Sequence, residues 1–340
     1  MADSFSVAMC TYNGARFVGE QLASVAAQTR EPDELVVCDD RSTDATTDIV
    51  KAFAASAPFP VRLHVNERNL GSTKNFERAI GLCGGDLIAL ADQDDVWLPG
   101  KLARMEEAFS RSPAVGLVFC DAEVVDEELR PMGYTVWESL WFDAGRQRAL
   151  RRGPAFRPLL RQNVVTGAAA AFRSRYRGLV LPLRSLTFRP LGMPVINLIH
   201  DGWIALMISA VAELEPVAEP LVKYRQHSGQ QLGMESPKPL TPEPEPPDLR
   251  TRAAAKYKEL FLDEINFLAP MYERLASKRH EFDCEVVLEY LGARLAHLRA
   301  RAGLPGSKLR RVPVVLREAL TLRYSRYSNG VMSAAKDLLF

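Results

Sequence analysis

The chain has 340 residues, 47% of them hydrophobic and 25% charged, the proportions of an ordinary globular protein with room for one large domain and an appendage, or for two domains. A net charge of +1 gives no whole-molecule field for nucleic acid, and none is expected as a partner. The five cysteines form no CxxC pair and suit a reducing compartment, and no apolar run approaches the roughly 18 residues of a membrane span. The N-terminus enters a strand within a few residues and lacks the basic and apolar regions of a signal peptide, so the expected location is cytoplasmic.

In chain order, Phe5 to Met9 predicts a strand, followed by Cys-Thr-Tyr-Asn-Gly at Cys10 to Gly14. Apolar residues recur at helical spacing from Phe17 to Gln28. Leu35 to Cys38 predicts a second strand ending in Asp39-Asp40-Arg41-Ser42-Thr43-Asp44, where Ser42 or Thr43 can cap a helix running through Ile49 to Ala55. A third strand, Val61 to Val65, leads through the turn Asn69-Leu70-Gly71 into a helix around Asn75 to Leu82. Leu87 to Ala91 has no polar side, as befits a strand covered on both faces. Four alternations of strand and helix predict a parallel, doubly wound sheet with right-handed crossovers.

Directly after that last strand stand Asp92, Asp94 and Asp95. Three carboxylates on a short turn repel one another and call for a cation. A hard divalent ion such as Mg²⁺ or Mn²⁺ takes one or two protein carboxylates and leaves other positions for phosphate. The alternative is a solvated acidic turn that caps the next helix. Tyr12 offers an aromatic face after strand one, and Asp39 and Asp40 offer acceptors after strand two; in a parallel sheet these ends lie side by side and suit a stacked base. Turn formers with no ligand are the competing reading. No G-x-G-x-x-G follows the first strand and no P-loop motif occurs.

Val115 to Phe119 predicts a further strand, continued by Cys120 to Glu123. Gly133 to Arg161 reads as irregular, with Trp137, Trp141 and Phe142 near Arg146, Arg148, Arg151 and Arg152, a mixture suited to a sugar or anionic acceptor or to a loop packed on the core. Gln162 to Gly167 leads into a strand at Ala168 to Phe172, and His200-Asp201-Gly202-Trp203 opens an apolar helix, with Asp201 as its N-cap or as a chemical group. Residues 235–248 are Pro-rich and read as a linker between a domain of residues 1–234 and a helical extension of residues 249–340. Periodicity predicts helices at Arg252 to Leu268 and Glu281 to Arg299. The basic, aromatic segment Lys308 to Phe340 can rest on an anionic membrane, pack on its own core or meet a second subunit, and the sequence leaves the three open.

Cys-Thr-Tyr-Asn-Gly, Val-Cys-Asp-Asp-Arg-Ser-Thr-Asp, Asn-Leu-Gly with Asn75-Phe76, and Ala-Asp-Gln-Asp-Asp-Val-Trp together resemble the family 2 glycosyltransferases, most of all their bacterial rhamnosyltransferase-like branch, over roughly residues 4 to 232. The resemblance implies the GT-A fold: α/β and Rossmann-like, with a mostly parallel central sheet flanked by helices, here followed by the helical C-terminal extension. It implies an inverting transferase that uses a UDP- or dTDP-sugar and a saccharide or lipid-linked acceptor, and a membrane contact through residues 308–340, one of the three readings of that segment, would put it at the inner face of the membrane. Tyr12 and Asp40 would hold the pyrimidine, with Thr11 and Lys74 near the donor. Asp92-Gln93-Asp94 matches the DxD motif, with Asp92 towards the ribose, both aspartates towards a divalent metal, and Asp95 behind them. The Tyr-Arg-x-His match places Arg225 on the diphosphate and His227 in the metal shell, with Gln231 where an Asn is expected. Asp201 matches the general base, and Trp97, Gly167, His200 and Trp203 fall on the acceptor side. A metal-dependent sugar nucleotidyltransferase and an inactive nucleotide-sugar-binding module are the other readings.

Overall fold

A computed structural model of the chain describes residues 3–152, 154–188, 196–230 and 253–339. Strand β1 (Phe5–Thr11) leads to helix α1 (Val18–Ala26), β2 (Glu34–Asp39) to α2 (Thr46–Ala54), β3 (Val61–Val65) to α3 (Ser72–Leu82), and β4 (Leu87–Ala91) through the short β5 (Val96–Trp97) to α4 (Lys101–Arg111). β1 and β4 are buried along their whole length, whereas β3 is half exposed, as an edge strand is. The predicted caps of α2 are not used: Ala45 occupies the N-cap, Ser42 donates its hydroxyl to Asp39, and Asp44 accepts the Thr46 N–H at 3.0 Å.

The next stretch is less regular. β6 (Val115–Val125) and β7 (Pro131–Thr135) precede three short helices, α5 (Val136–Ser139), α6 (Ala144–Arg152) and α7 (Phe156–Arg161), where the sequence reading expected none. Trp137 and Phe142 are buried against Phe119, with ring centroids 5.5 and 5.8 Å from it, so these two aromatics are core. A 3-10 turn at Gly167–Ala169 enters β8 (Ala170–Arg173), and α8 (Arg177–Val180), β9 (Leu186–Phe188) and β10 (Ile196–Leu198) follow. Helix α9 (His200–Ser209) is buried on nearly every side, and the long β11 (Glu213–Arg225) closes this part of the chain.

The main sheet has the strand order β3-β2-β1-β4-β8-β6-β11-β5, with β7 on β6. β1 to β4 are mutually parallel, as is the β6–β11 pair, while β8 lies antiparallel between β4 and β6. Chain order reverses between β2 and β4 on the two sides of β1. That makes the carboxyl ends of β1 and β4 a topological switch point, where open α/β sheets bind ligands.

The chain divides into two compact units, Met1–Ser185 with Leu198–Leu240, and Leu186–Asn197 with Thr241–Phe340. The expected linker and Gln231 lie outside the described residues. The second unit holds α10 (Ala253–Lys278), α11 (Glu285–Ala302), α12 (Lys308–Leu320), α13 (Arg323–Tyr327) and α14 (Gly330–Leu339). Its interior is partly polar. His297 on α11 meets Glu318 on α12 at 2.8 Å and Ser328 at 3.0 Å. Arg301 donates to both oxygens of Asp337 on α14, at 2.7 and 3.0 Å, and the Tyr324 hydroxyl donates to the same carboxylate at 2.7 Å.

Both partners of the Arg301–Asp337 pair are almost fully buried, so removing one leaves an uncompensated charge. Asp337→Asn is expected to cost this unit about 3–5 kcal/mol, read as a lower midpoint in urea unfolding followed by circular dichroism of its helices.

Candidate functional site

The ends of β1, β2 and β4 are wired to one another. Thr11 donates its hydroxyl to Asp39 at 2.7 Å, so that side chain is internal. The Asn13 N–H donates to Ser42 at 2.8 Å, and Asn13 Oδ1 accepts the Thr43 N–H at 2.8 Å. Gln93, the central residue of Asp92-Gln93-Asp94, clasps the backbone of Tyr12: it accepts the N–H at 2.8 Å and donates to the carbonyl at 3.0 Å. A Cβ on Gly14 would sit 2.1 Å from Gln93 Oε1, so the clasp requires glycine there. Asn13 and Arg41 hold φ values of +46° and +65°, a sparsely populated conformation that the surrounding hydrogen bonds sustain.

This wiring leaves the Tyr12 ring 49% exposed at the switch point. Asp40 is buried and accepts from Asn66 Nδ2 and the Leu70 N–H at 2.7 Å and from the Gly71 N–H at 2.8 Å. A carboxylate has about four acceptor positions, so room remains for one further donor. Lys74 is half exposed on α3 and pairs with Glu77 at 2.8 Å.

The acidic turn does not cap a helix, because α4 starts after Gly100 with no side-chain cap. Burial and the neighbouring Asp94 and Asp201 push the Asp92 carboxyl up to about 7. Asp95 is fully buried; its Oδ1 accepts the Arg225 N–H at 3.0 Å, its Oδ2 has no partner, and burial raises its pKa strongly. Asp94 Oδ2 lies 2.9 Å from His227 Nε2. His227 Nδ1 accepts the Gly229 N–H at 3.2 Å, which orients the ring so that Nε2 faces Asp94. The structure therefore brings Asp94 and His227 together. Among the described residues no group of three acidic, His or Cys side chains converges on one point, so Asp92 does not complete a ready-made cage. A carboxylate and an imidazole still suit a hard divalent ion whose remaining positions go to phosphate and water.

Arg225 departs from expectation. Its guanidinium is buried over the Phe17 ring at 4.6 Å, donating to the Asp94 carbonyl at 2.7 Å, the Glu127 carbonyl and Glu20. Three of its five N–H donors are thus taken by the protein, and through them it braces the acidic turn.

Asp201 is the second residue of α9, and Ile199 occupies the N-cap. Its Oδ2 accepts the Gly167 N–H at 3.1 Å and its Oδ1 the Gly202 N–H at 2.6 Å. The other residues expected on the acceptor side are core. Trp97 and Trp203 are buried, the latter donating to the Val180 carbonyl at 2.8 Å. His200 is buried and stacked on Phe76 at 4.1 Å with neither ring nitrogen paired, and burial lowers its pKa. For His200 and Trp203 the reason is α9 itself: a helix apolar on all sides is enclosed, and it takes its aromatic residues with it.

Lys101 went unnoticed in the sequence. It is fully buried, its ammonium lies 3.4 Å from the Trp97 ring centroid, and it donates to the Ala168 carbonyl at 2.6 Å. Burial lowers its pKa to about 7, against the pull of Cys120, Asp95 and Asp92. A lysine opening a helix ordinarily reads as a surface residue, and nothing in its spacing marks it otherwise. Further along, Phe142, Arg146, Leu150, Arg157, Arg161 and Gln162 line a cavity of about 640 Å³ between α6 and α7.

Comparison with known proteins bears on this geometry. Residues 6–166 match the family described as Glycosyl transferase family 2. An uncharacterized glycosyltransferase of Nostoc sp. is 35% identical over 113 residues, 33% of this chain and 35% of that protein. A dTDP-rhamnosyl transferase of Shigella flexneri is 36% identical over 98 residues, 28% of this chain and 34% of the other. An Escherichia coli UDP-Glc:alpha-D-GlcNAc-diphosphoundecaprenol beta-1,3-glucosyltransferase is 30% identical over 121 residues, 36% and 46% of the two chains. The chain spans about a third of the length of the first of these relatives. Among solved structures, Staphylococcus aureus TarS superposes with a TM-score of 0.52 at 17% identity, covering 87% of this chain and 43% of that one. TarS 1–349 in complex with UDP-GlcNAc gives 0.51 at 14%, covering 92% and 79%. The fold is thus GT-A, with a mostly parallel sheet flanked by helices and a helical C-terminal region. With the wired strand ends and acidic turn, these matches support a family 2 glycosyltransferase domain in the N-terminal half of the chain.

Proposed function

We propose that the chain transfers a sugar from a UDP- or dTDP-linked donor to a saccharide or lipid-linked acceptor in cell-surface polysaccharide synthesis, with inversion at the anomeric carbon. The observation that carries this reading is the shared site of two kinds of carboxylate. Burial, Asp94 and then Asp201 act together to raise the Asp92 carboxyl, and the Asp201 carboxylate itself is held by the Gly167 N–H at 3.1 Å and the Gly202 N–H at 2.6 Å. The relatives named above act, by their names, on dTDP-rhamnose and on a diphosphoundecaprenol-linked sugar, and rhamnose is the donor sugar we favour. The catalytic part is the proposed domain of residues 1–234, joined by the linker of residues 235–248 to the extension of residues 249–340.

On this reading the exposed Tyr12 ring stacks on the pyrimidine and the remaining acceptor position of Asp40 takes its N3–H. Thr11 contributes backbone, and Lys74 stands by the donor. Asp94 and His227, with Asp92 beside them, would hold Mg²⁺ or Mn²⁺, which supplies Lewis-acid stabilisation of the leaving diphosphate. Asp201 takes the proton of the acceptor hydroxyl as that oxygen attacks from the face opposite the leaving group. The Gly167 and Gly202 N–H groups aim this carboxylate. Lys101 positions both halves: its charge offsets the buried aspartates, and its hydrogen bond fixes the Ala168 carbonyl beside Gly167.

Asp201→Asn keeps an oxygen for one of these N–H groups and loses the other hydrogen bond and the basic site, so turnover is expected to fall about 10²–10⁴-fold with donor affinity unchanged. Near wild-type transfer by a folded Asn variant sinks the mechanism. Asp94→Ala is expected to abolish the divalent-dependent part of nucleoside-diphosphate binding in calorimetry. Lys101→Met leaves the buried Ala168 carbonyl unpaired, and chemical denaturation is expected to show a loss of about 1–3 kcal/mol together with reduced turnover.

A further inference from the structure

The last helices of the second unit are turned inside out. On α12, Leu309, Val312, Leu316 and Leu320 recur at i, i+3, i+7 and i+11, the spacing of a single apolar face, and this face points to solvent; Leu309 is 85% and Leu320 84% exposed. The opposite face turns Glu318 inward to His297 and Arg323. α14 repeats the arrangement. Ser333 and Asp337 are buried, and Val331, Met332 and Leu339 are exposed, Val331 at 85%. A scattered exposed leucine needs no explanation, but an apolar stripe on two packed helices marks a surface that meets something.

Charge identifies what it meets. Between residues 303 and 340 the chain has seven basic residues and two acids, Glu318 and Asp337. Both acids are buried and paired within the unit. Lys308, Arg310, Arg317, Arg326 and Lys336 are all exposed, so the surface of this segment is apolar and cationic with no exposed acid. A second copy docked symmetrically on the same face would bring like charges together without acidic partners. No described helix is long and apolar enough to cross a bilayer. A surface of leucine and arginine suits the interface of an anionic bilayer, where apolar side chains enter the acyl boundary and cations meet the headgroups.

We propose that α12 and α14 form a peripheral docking face for an anionic lipid bilayer, laid in the interface rather than through it. The proposal goes beyond sugar transfer, and its test reads vesicle binding, so its failure is distinct from a failure of the transferase assignment. The full chain is centrifuged with vesicles of phosphatidylcholine alone and of phosphatidylcholine mixed with phosphatidylglycerol, at low and high salt. Binding is expected to the anionic vesicles and to weaken with salt. Replacing Arg310 and Arg317 by Gln is expected to weaken it about fivefold per charge removed. Leu316→Glu with Leu320→Glu is expected to abolish it while leaving the melting temperature unchanged, since both side chains face solvent. Absence of binding to anionic vesicles, or equal binding to neutral ones, overturns the proposal. So does a concentration-dependent dimer in sedimentation velocity that the Leu316→Glu, Leu320→Glu variant dissolves without any vesicle binding.

Discussion

Crowding of negative charge at the end of β4 is the constraint on which the first unit depends. Asp92 and Asp95 are held where burial penalises ionisation, and the Asp94 charge between them raises the cost for both. The protein answers with Lys101 underneath and with Arg225 at the side. Neither cation forms an ion pair with the turn. Lys101 rests on Trp97 and a carbonyl, and Arg225 grips the Asp94 backbone while its charge meets Glu20. The turn is therefore stiffened through its main chain, while Asp95 Oδ2 is left without a partner.

The carboxyl ends of β1 and β2 depend on the same turn. Because Gln93 clasps Tyr12, the aromatic face after β1 and the carboxylates after β4 move as one body. Asp39 holds Thr11 and Ser42 together, so the ends of β1 and β2 are also a unit. The left-handed backbone at Asn13 and Arg41 persists because these bonds over-determine it, and such strain gathers where a loop must present side chains in fixed directions.

Much of this was legible in the sequence. The run Leu87 to Ala91 announced a buried parallel strand, since a strand covered on both faces lacks a polar side, and Phe5 to Met9 announced a strand beside it. The adjacency of Tyr12, Asp40 and the acidic turn followed from strand polarity alone. The direction of side chains was not legible. Trp97, His200 and Trp203 stand beside site residues in the chain, yet strand alternation and the enclosed α9 turn them into the core. Arg225 reads as an anion ligand until Phe17 and Glu20, distant in sequence, are seen to claim it. Lys101 is the converse case, a residue that only tertiary burial makes significant.

The second unit shows the same lesson in its orientation. An amphipathic helix ordinarily turns its apolar face inward, and α12 has such a face in Leu309, Leu316 and Leu320. It points outward because the inward direction is already specified by partners that only Glu318 can satisfy: His297 on one side and Arg323 on the other. Asp337 does the same for α14 through Arg301 and Tyr324. Breaking either set to rotate the helix would strand a buried charge, a larger penalty than leaving a few leucines in water. The polar core thus fixes which way these helices face, and the apolar stripe stays at the surface.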